Sequence, residues 1–210
     1  KLTIYAGESG RVCKVELDNF SLEDSELGVF DTHKLSKLIS ITNGDLMISL
    51  DKIKSIYTKL YIQDTNFNLT YSLADILILG KNTYYDDPDS FEIELDLHPE
   101  DIDHLIKAKN ALTDINKMKI TTTTDFDDNN VCEFIFGDND DFSNKIIFQM
   151  RGIISKNGIS IPFDSDIFKD ILYSNKDMDK GTLKLSEVGM LKLNFESEDI
   201  KSEYFVARNE

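Results

Sequence analysis

Leu95-Asp96-Leu97-His98-Pro99-Glu100-Asp101-Ile102-Asp103-His104-Leu105-Ile106 reads as a short strand that runs straight into a helix. Leu95 and Leu97 alternate as a half-buried strand does, and Pro99 stands where a first helical turn accepts proline. Ile102, Leu105 and Ile106 then fall at i, i+3 and i+4 and make one apolar stripe. The same grammar occurs twice more. Upstream, Val29-Phe30-Asp31-Thr32-His33-Lys34-Leu35-Ser36-Lys37-Leu38-Ile39 predicts a short strand and a capped helix with the stripe Leu35, Leu38, Ile39. Downstream, Ile159-Ser160-Ile161-Pro162-Phe163-Asp164-Ser165-Asp166-Ile167-Phe168-Lys169-Asp170-Ile171-Leu172 predicts a strand and a helix capped by Asp164 or Ser165. Its stripe is Ile167 or Phe168 with Ile171 and Leu172. Taking Phe30, Leu97 and Phe163 as equivalents, the spacings are 67 and 66 residues. Two nearly equal periods mark an internal repeat.

Strand-like alternation bounded by turn residues follows each helix. The runs are 46–50, 56–62 and 67–71 in the first unit, 118–124, 131–136 and 145–150 in the second, and 182–185, 191–195 and 204–207 in the third. The repeated unit is therefore strand, helix, three strands, an α+β pattern. Residues 2–5 and 12–17 fit as strands of a further unit whose helix is expected ahead of Lys1. Pairing the units gives a domain over 1–78 that lacks its first helix, a connector over 79–90 rich in turn and breaker residues, and a complete domain over 91–210.

With 39 acids against 23 bases, the 210-residue chain has a formal charge of −16 and is expected to be a soluble acidic protein. Its hydrophobic share, 40%, suffices for one or two packed domains and argues against disorder. No run approaches the roughly 20 apolar residues of a membrane helix, and the first residues lack a signal-peptide pattern, so membrane and secretory readings are set aside. Cys13 and Cys132 have no Cys-x-x-Cys spacing, which points to a reducing cytoplasm.

Signals for catalysis are thin. His98 and His104, six apart, fall on different helix faces, and His33 stands alone, so zinc spacing is absent. Asp125-x-Asp127-x-Asn129 begins like a calcium loop, but Asn130 stands where glycine is needed and Phe136 where glutamate is needed. It reads as a solvated hairpin tip, as does the acidic stretch 138–141. No phosphate-binding or nucleophile-elbow motif occurs. Neither enzyme activity, metal nor cofactor is expected.

Net charge argues against nucleic acid, but segregation of the lysines matters more than the total. Lys34, Lys37, Lys107, Lys109, Lys169 and Lys176 lie on or near the helix faces opposite the apolar stripes. Ordinary helix solubility also accounts for any one of them, and Asp103 and Asp170 share that side. Asp101, Asp164 and Asp166 suit the positive end of the helix dipole.

The period and order of these segments resemble the DNA sliding clamps, most closely the T-even type bacteriophage clamp. The carrying segments are Val29-Phe30-Asp31 through Ile39, Leu97-His98-Pro99-Glu100-Asp101-Ile102 through Lys107, and Gly181-Thr182-Leu183-Lys184-Leu185 through Phe205-Val206-Ala207. The resemblance implies a DNA-clamp fold of two similar domains and a homotrimeric ring, with helices lining the hole and sheets outside. It implies a non-enzymatic processivity factor on duplex DNA in the cytoplasm of an infected bacterial host. The implied partners are the DNA polymerase, an ATP-dependent clamp loader and late-transcription factors. Lysines of the inner helices would face DNA. Partner peptides would dock by the connector at Ile76, Leu77, Leu79 and Tyr84, with Phe205 and Val206 from the last strand. The alternatives are an acidic β-rich viral structural or assembly protein without DNA contact, and a hydrolase using the acidic loops with a metal.

Overall fold

A computed structural model describes residues 1–8, 10–79, 85–137 and 144–209. Packing divides the chain into one unit of Lys1–Asn19 with Thr83–Glu210 and another of Phe20–Asn82. The first unit contains β1 (Leu2–Glu8), β2 (Arg11–Leu17), β6 (Ile93–Leu97), α3 (Pro99–Asn110), β7 (Lys117–Thr124), β8 (Asn130–Phe136), β9 (Ile146–Met150), β10 (Ile153–Ile154), β11 (Ser160–Asp164), α4 (Ser165–Ser174), β12 (Lys180–Leu185), β13 (Met190–Glu196) and β14 (Ile200–Ala207). The second contains α1 (Thr32–Ile39), β3 (Met47–Ile53), β4 (Ile56–Gln63), β5 (Asn68–Ser72) and α2 (Ile76–Leu79).

In the larger unit the two complete repeats exchange their first strands. β6 opens the motif that continues through α3 to β7, β8 and β9, yet it pairs with β12 of the other motif. β11 opens the motif of α4, β12, β13 and β14, yet it pairs with β7. The result is a seven-stranded sheet ordered β1-β2-β14-β13-β12-β6-β10 and a four-stranded sheet ordered β11-β7-β8-β9. Leu95 and Leu97 of β6, Leu105 of α3, Phe134 of β8 and Phe168 of α4 meet in one continuous core. The Phe134 and Phe168 rings stack at 5.8 Å. Truncating a ring in such a setting costs about 3–5 kcal/mol. Each motif thus depends on the other for a strand and for burial.

The helix starts follow local chemistry. Asp31 accepts from the Lys34 N–H at 2.8 Å, and Asp164 accepts from the N–H groups of Asp166 and Ile167 at 2.8 and 3.0 Å. At α3 the Asp101 carboxylate accepts from the His98 N–H at 3.1 Å, ahead of Pro99. The three N-cap residues, Asp31, His98 and Asp164, keep the 67- and 66-residue spacing. Ile102, Leu105 and Ile106 are buried as the stripe requires, and on α4 it is Phe168 that turns inward with Ile171 and Leu172.

The smaller unit corrects one expectation. Residues 29–31 form no strand: Gly28 makes a single bridge to Ala74, and Phe30 is 80% exposed, whereas Leu97 and Phe163 are core residues. The reason lies in the exchange. β6 and β11 each join a sheet belonging to a second motif, but residues 20–82 hold one three-stranded sheet, β3-β4-β5, among the described residues. Leu35 and Leu38 of α1 pack against the small cluster of Leu60, Ile62 and Tyr71, while Ile39 stays exposed. The Tyr71 hydroxyl donates to the Asp31 carbonyl at 3.0 Å and fixes the start of α1 to β5.

Residues 1–19 pack with the carboxy-terminal repeats because β2 hydrogen-bonds along β14, from Leu17 with Ile200 to Arg11 with Val206. This differs from the division by sequence grammar, which groups 1–78. β10 and α2 are elements that the alternation did not signal. None of the helices formed by described residues is long and apolar enough to cross a membrane.

Candidate functional site

Exposed helix faces and the outer face of the large sheet are where functional side chains gather. On α1 the exposed side carries His33, Lys34 and Lys37, and the helix contains no acid. Lys34 and Lys37 make no ion pair among the described residues. On α3 and α4 the situation is different. Lys107 pairs with Asp103 one turn earlier at 2.5 Å, and Lys169 lies between Asp166 at 3.6 Å and Asp170 at 3.5 Å. Lys176 follows the end of α4 and places Nζ over the Tyr173 ring at 4.6 Å. Of the lysines within α1, α3 and α4, those of α1 are therefore the ones without a carboxylate partner among the described residues.

Lys109 departs from the expected solvent-facing role. Only 3% of it is exposed, and its Nζ reaches Asp166 at 3.1 Å and the Leu112 carbonyl at 3.4 Å. It ties the end of α3 to the start of α4. The position is i+7 from Ile102, which places it on the apolar stripe and keeps it from solvent.

The connector residues divide into two groups. Leu77 and Ile78 are 88% and 81% exposed, and Leu79 is also exposed, so the single turn of α2 offers aliphatic side chains to solvent. Ile76 is half-buried. Tyr84 lies outside the described residues. Val206, by contrast, belongs to the core of the larger unit, so its side chain offers nothing to a partner. Strand alternation turns Phe205 to the opposite face of the sheet, where the Tyr85 ring meets it at 6.5 Å.

That outer face is a ladder of alternating charge. Lys184 pairs with Glu94 at 3.0 Å, Lys192 with Glu203 at 2.8 Å and Lys14 with Glu16 at 2.8 Å. Lys1 and then Lys14 hydrogen-bond to Glu16 and hold its carboxyl down to about 2. Burial is the main cause of the upward shift of Glu203. Sequence reading missed Lys192, Tyr85 and Asp87. Alternation in β13 places Lys192 outward, but no local pattern says what covers it.

The acidic hairpin tip is organised by hydrogen bonds within itself. Asp125 accepts from the N–H groups of Asp127 at 2.9 Å and Asn129 at 3.0 Å, and Arg151 pairs with it at 2.9 Å. Among the described residues no cluster of three His, Cys, Asp or Glu side chains is placed to hold a metal. The acidic stretch 138–141 lies outside the described residues. Cys132 is buried, and desolvation pushes its thiol up to about 12; Cys13 is half-buried and also raised, again chiefly by burial.

The sequence matches no protein-family model and no curated protein. Solved structures do match the fold. Proliferating Cellular Nuclear Antigen from Entamoeba histolytica superposes with a TM-score of 0.67 at 13% identity, over 99% of this chain and 85% of that one. The A. fulgidus PCNA bound to the C-terminal region of FEN-1 gives 0.72 at 16% identity with the same coverage. The H. pylori beta clamp in complex with 5-chloroisatin gives 0.70 at 12% identity, over 99% of this chain and 56% of that one. The chain has the sliding-clamp fold. At these identities the likeness is one of architecture, and the clamp fold here is reached with a different sequence. Within that fold the chain presents one clearly basic helix, an aliphatic turn at α2 and a strap of connector on the outer sheet face.

Proposed function

We propose that this protein is a sliding clamp: a non-enzymatic ring that encircles duplex DNA and tethers the replicative polymerase. The observation that carries the reading is the clamp fold over 99% of the chain, built from the 66–67-residue repeat. A ring that escapes only by opening needs little contact energy, so an acidic protein can work on DNA provided its bore is not acidic. The bare lysines of α1 suit that role, with Lys107, Lys169 and Lys176 as weaker contributors. Lys109 is excluded by its burial.

The two clamp domains of this proposal follow the repeat in the sequence, 1–78 and 91–210 joined by the connector 79–90, with β2 of the first laid along β14 of the second. Three copies close a ring of six domains by head-to-tail contacts, and strand pairing between copies consumes open sheet edges. An ATP-dependent loader opens the ring. The A. fulgidus structure supports a peptide-docking role, because that clamp is bound to the C-terminal region of another protein. In this chain the outer sheet face around Phe205 is the docking region of this proposal, and the exposed Leu77 and Leu79 of α2 are separate candidate contacts. We further propose a bacteriophage origin of the T-even type, action in the cytoplasm of the infected host and a coupling to late-transcription factors, on the segment resemblance described above.

The test is retention. Protein loaded on nicked circular DNA by its loader and ATP should co-elute with the circle and be lost when the circle is linearised. Equal retention on both forms would overturn the proposal.

A further inference from the structure

Phe205 lies on the solvent side of the seven-stranded sheet, since its neighbours Tyr204 and Val206 turn to the core. A ring in that position should be open to water, yet Phe205 is only 1% exposed. Val12 flanks it on β2, and the connector adds cover from above. Tyr85 meets it edge to face at 6.5 Å, and Lys192, directly opposite on β13, places Nζ over the same ring at 4.9 Å. Asp87 then reaches Lys192 at 2.6 Å, and Phe91 sits under Nζ of Lys184 at 5.9 Å. Residues 85–91 thus cross β14, β13 and β12 in turn, matching an aromatic, a carboxylate and an aromatic to the groups beneath.

We infer that residues 85–91 are a self-ligand, a strap that occupies the partner-docking face and must be exchanged for a partner peptide of the same chemistry. That chemistry is an aromatic side chain followed two positions later by a carboxylate, which would replace Tyr85 on Phe205 and Asp87 on Lys192. The inference rests on the reading that partners dock beside the connector. The strap has the properties of an exchangeable cover. It carries no strand or helix of its own, and Asp87 is more than half exposed, so water competes for its ion pair. Lys192 retains Glu203 at 2.8 Å when Asp87 leaves, so release strands no charge.

The chain contains no tryptophan, so Tyr85→Trp installs a single reporter on the strap. The expected result is blue-shifted emission with weak iodide quenching. Adding Asp87→Asn, or Lys192→Gln in a separate protein, should shift the emission red and raise quenching severalfold. The binding probe is a labelled heptapeptide with the strap's own sequence, Tyr-Asp-Asp-Pro-Asp-Ser-Phe. A face free about one-tenth of the time weakens apparent affinity about tenfold. The heptapeptide should therefore bind a Tyr85→Ala, Asp87→Asn chain about tenfold more tightly than the unaltered chain, and Lys192→Gln should remove that binding.

An indole fully quenched in the Tyr85→Trp chain would overturn the strap while leaving the docking reading intact. A shielded indole with equal heptapeptide affinity for closed and opened chains would overturn the exchange. A reporter that opens as expected, with no binding to either chain, would remove this face as a docking site and the inference with it.

Discussion

Lys109 shows how a single side chain can change role between sequence and structure. It follows Ile102, Leu105 and Ile106 at the next stripe position, and its ammonium bridges two helices. Lys109→Ala should lower the unfolding free energy by about 1.5–3 kcal/mol, the range for losing a hydrogen bond to a charged group. Urea titration reads this directly, and DNA retention per folded molecule should not change. Asp64 is a second such residue. Its carboxylate accepts from the N–H groups of Asn43 at 2.8 Å and of Phe67 and Asn66 at 2.6 Å, and these bonds hold it below the usual aspartate range. A depressed pKa in the folded state means stabilisation that is complete above the ordinary aspartate value and lost as pH falls through the depressed one. Asp64→Asn should therefore lower the urea midpoint at pH 7, and the deficit should shrink on acidification to pH 3. A constant deficit across that interval would show that the carboxylate's charge is not what matters. Neither role was visible beforehand, because the donors on Asp64 come from two loops that only the fold brings together.

At the scale of elements, α1 stands apart from α3 and α4. Its lysines are bare, whereas Lys107 and Lys169 pair with acids of their own helices and Lys109 pairs across to α4. Lys34→Glu with Lys37→Glu should weaken retention on circular DNA far more than Lys107→Glu with Lys169→Glu. On linear duplex, removing both α1 lysines should reduce the slope of log affinity against log salt by about two, one per phosphate contact. Circular dichroism should be unchanged, since both side chains are exposed and their reversal breaks no ion pair among the described residues. A larger loss from the Lys107 and Lys169 pair would reassign the DNA-facing helix. Helices, strands and the order of units were legible because period-3.6 stripes, period-2 runs and N-cap residues recur at a fixed spacing. The strand at 29–31 failed because strand formation needs a partner edge, and Phe30 has the right chemistry without that edge. The strap failed for the complementary reason: Tyr85 and Asp87 read as linker residues, and only the sheet beneath them gives them a role.

For the whole molecule the sliding-clamp proposal turns on closure of a ring. Among the described residues β5 has β4 as its one strand neighbour and β9 has β8, so each ends a sheet with unpaired backbone groups along one side. Such edges are a hazard in a free chain and a resource in an assembly. A head-to-tail contact that joins edges of different sheets generates a ring if its rotation closes and a filament if it does not. In the proposed ring the internal repeat would favour closure, because similar domains would meet similar neighbours around the circle. This property was legible only by resemblance, since no residue of a single chain announces the number of copies. Light scattering on the purified chain across a dilution series tests it most directly. A closed ring should give a species of three 24.0-kDa chains, about 72 kDa, that persists on dilution into the low micromolar range. A 24.0-kDa monomer at every concentration, or a mass that grows without limit, would contradict it.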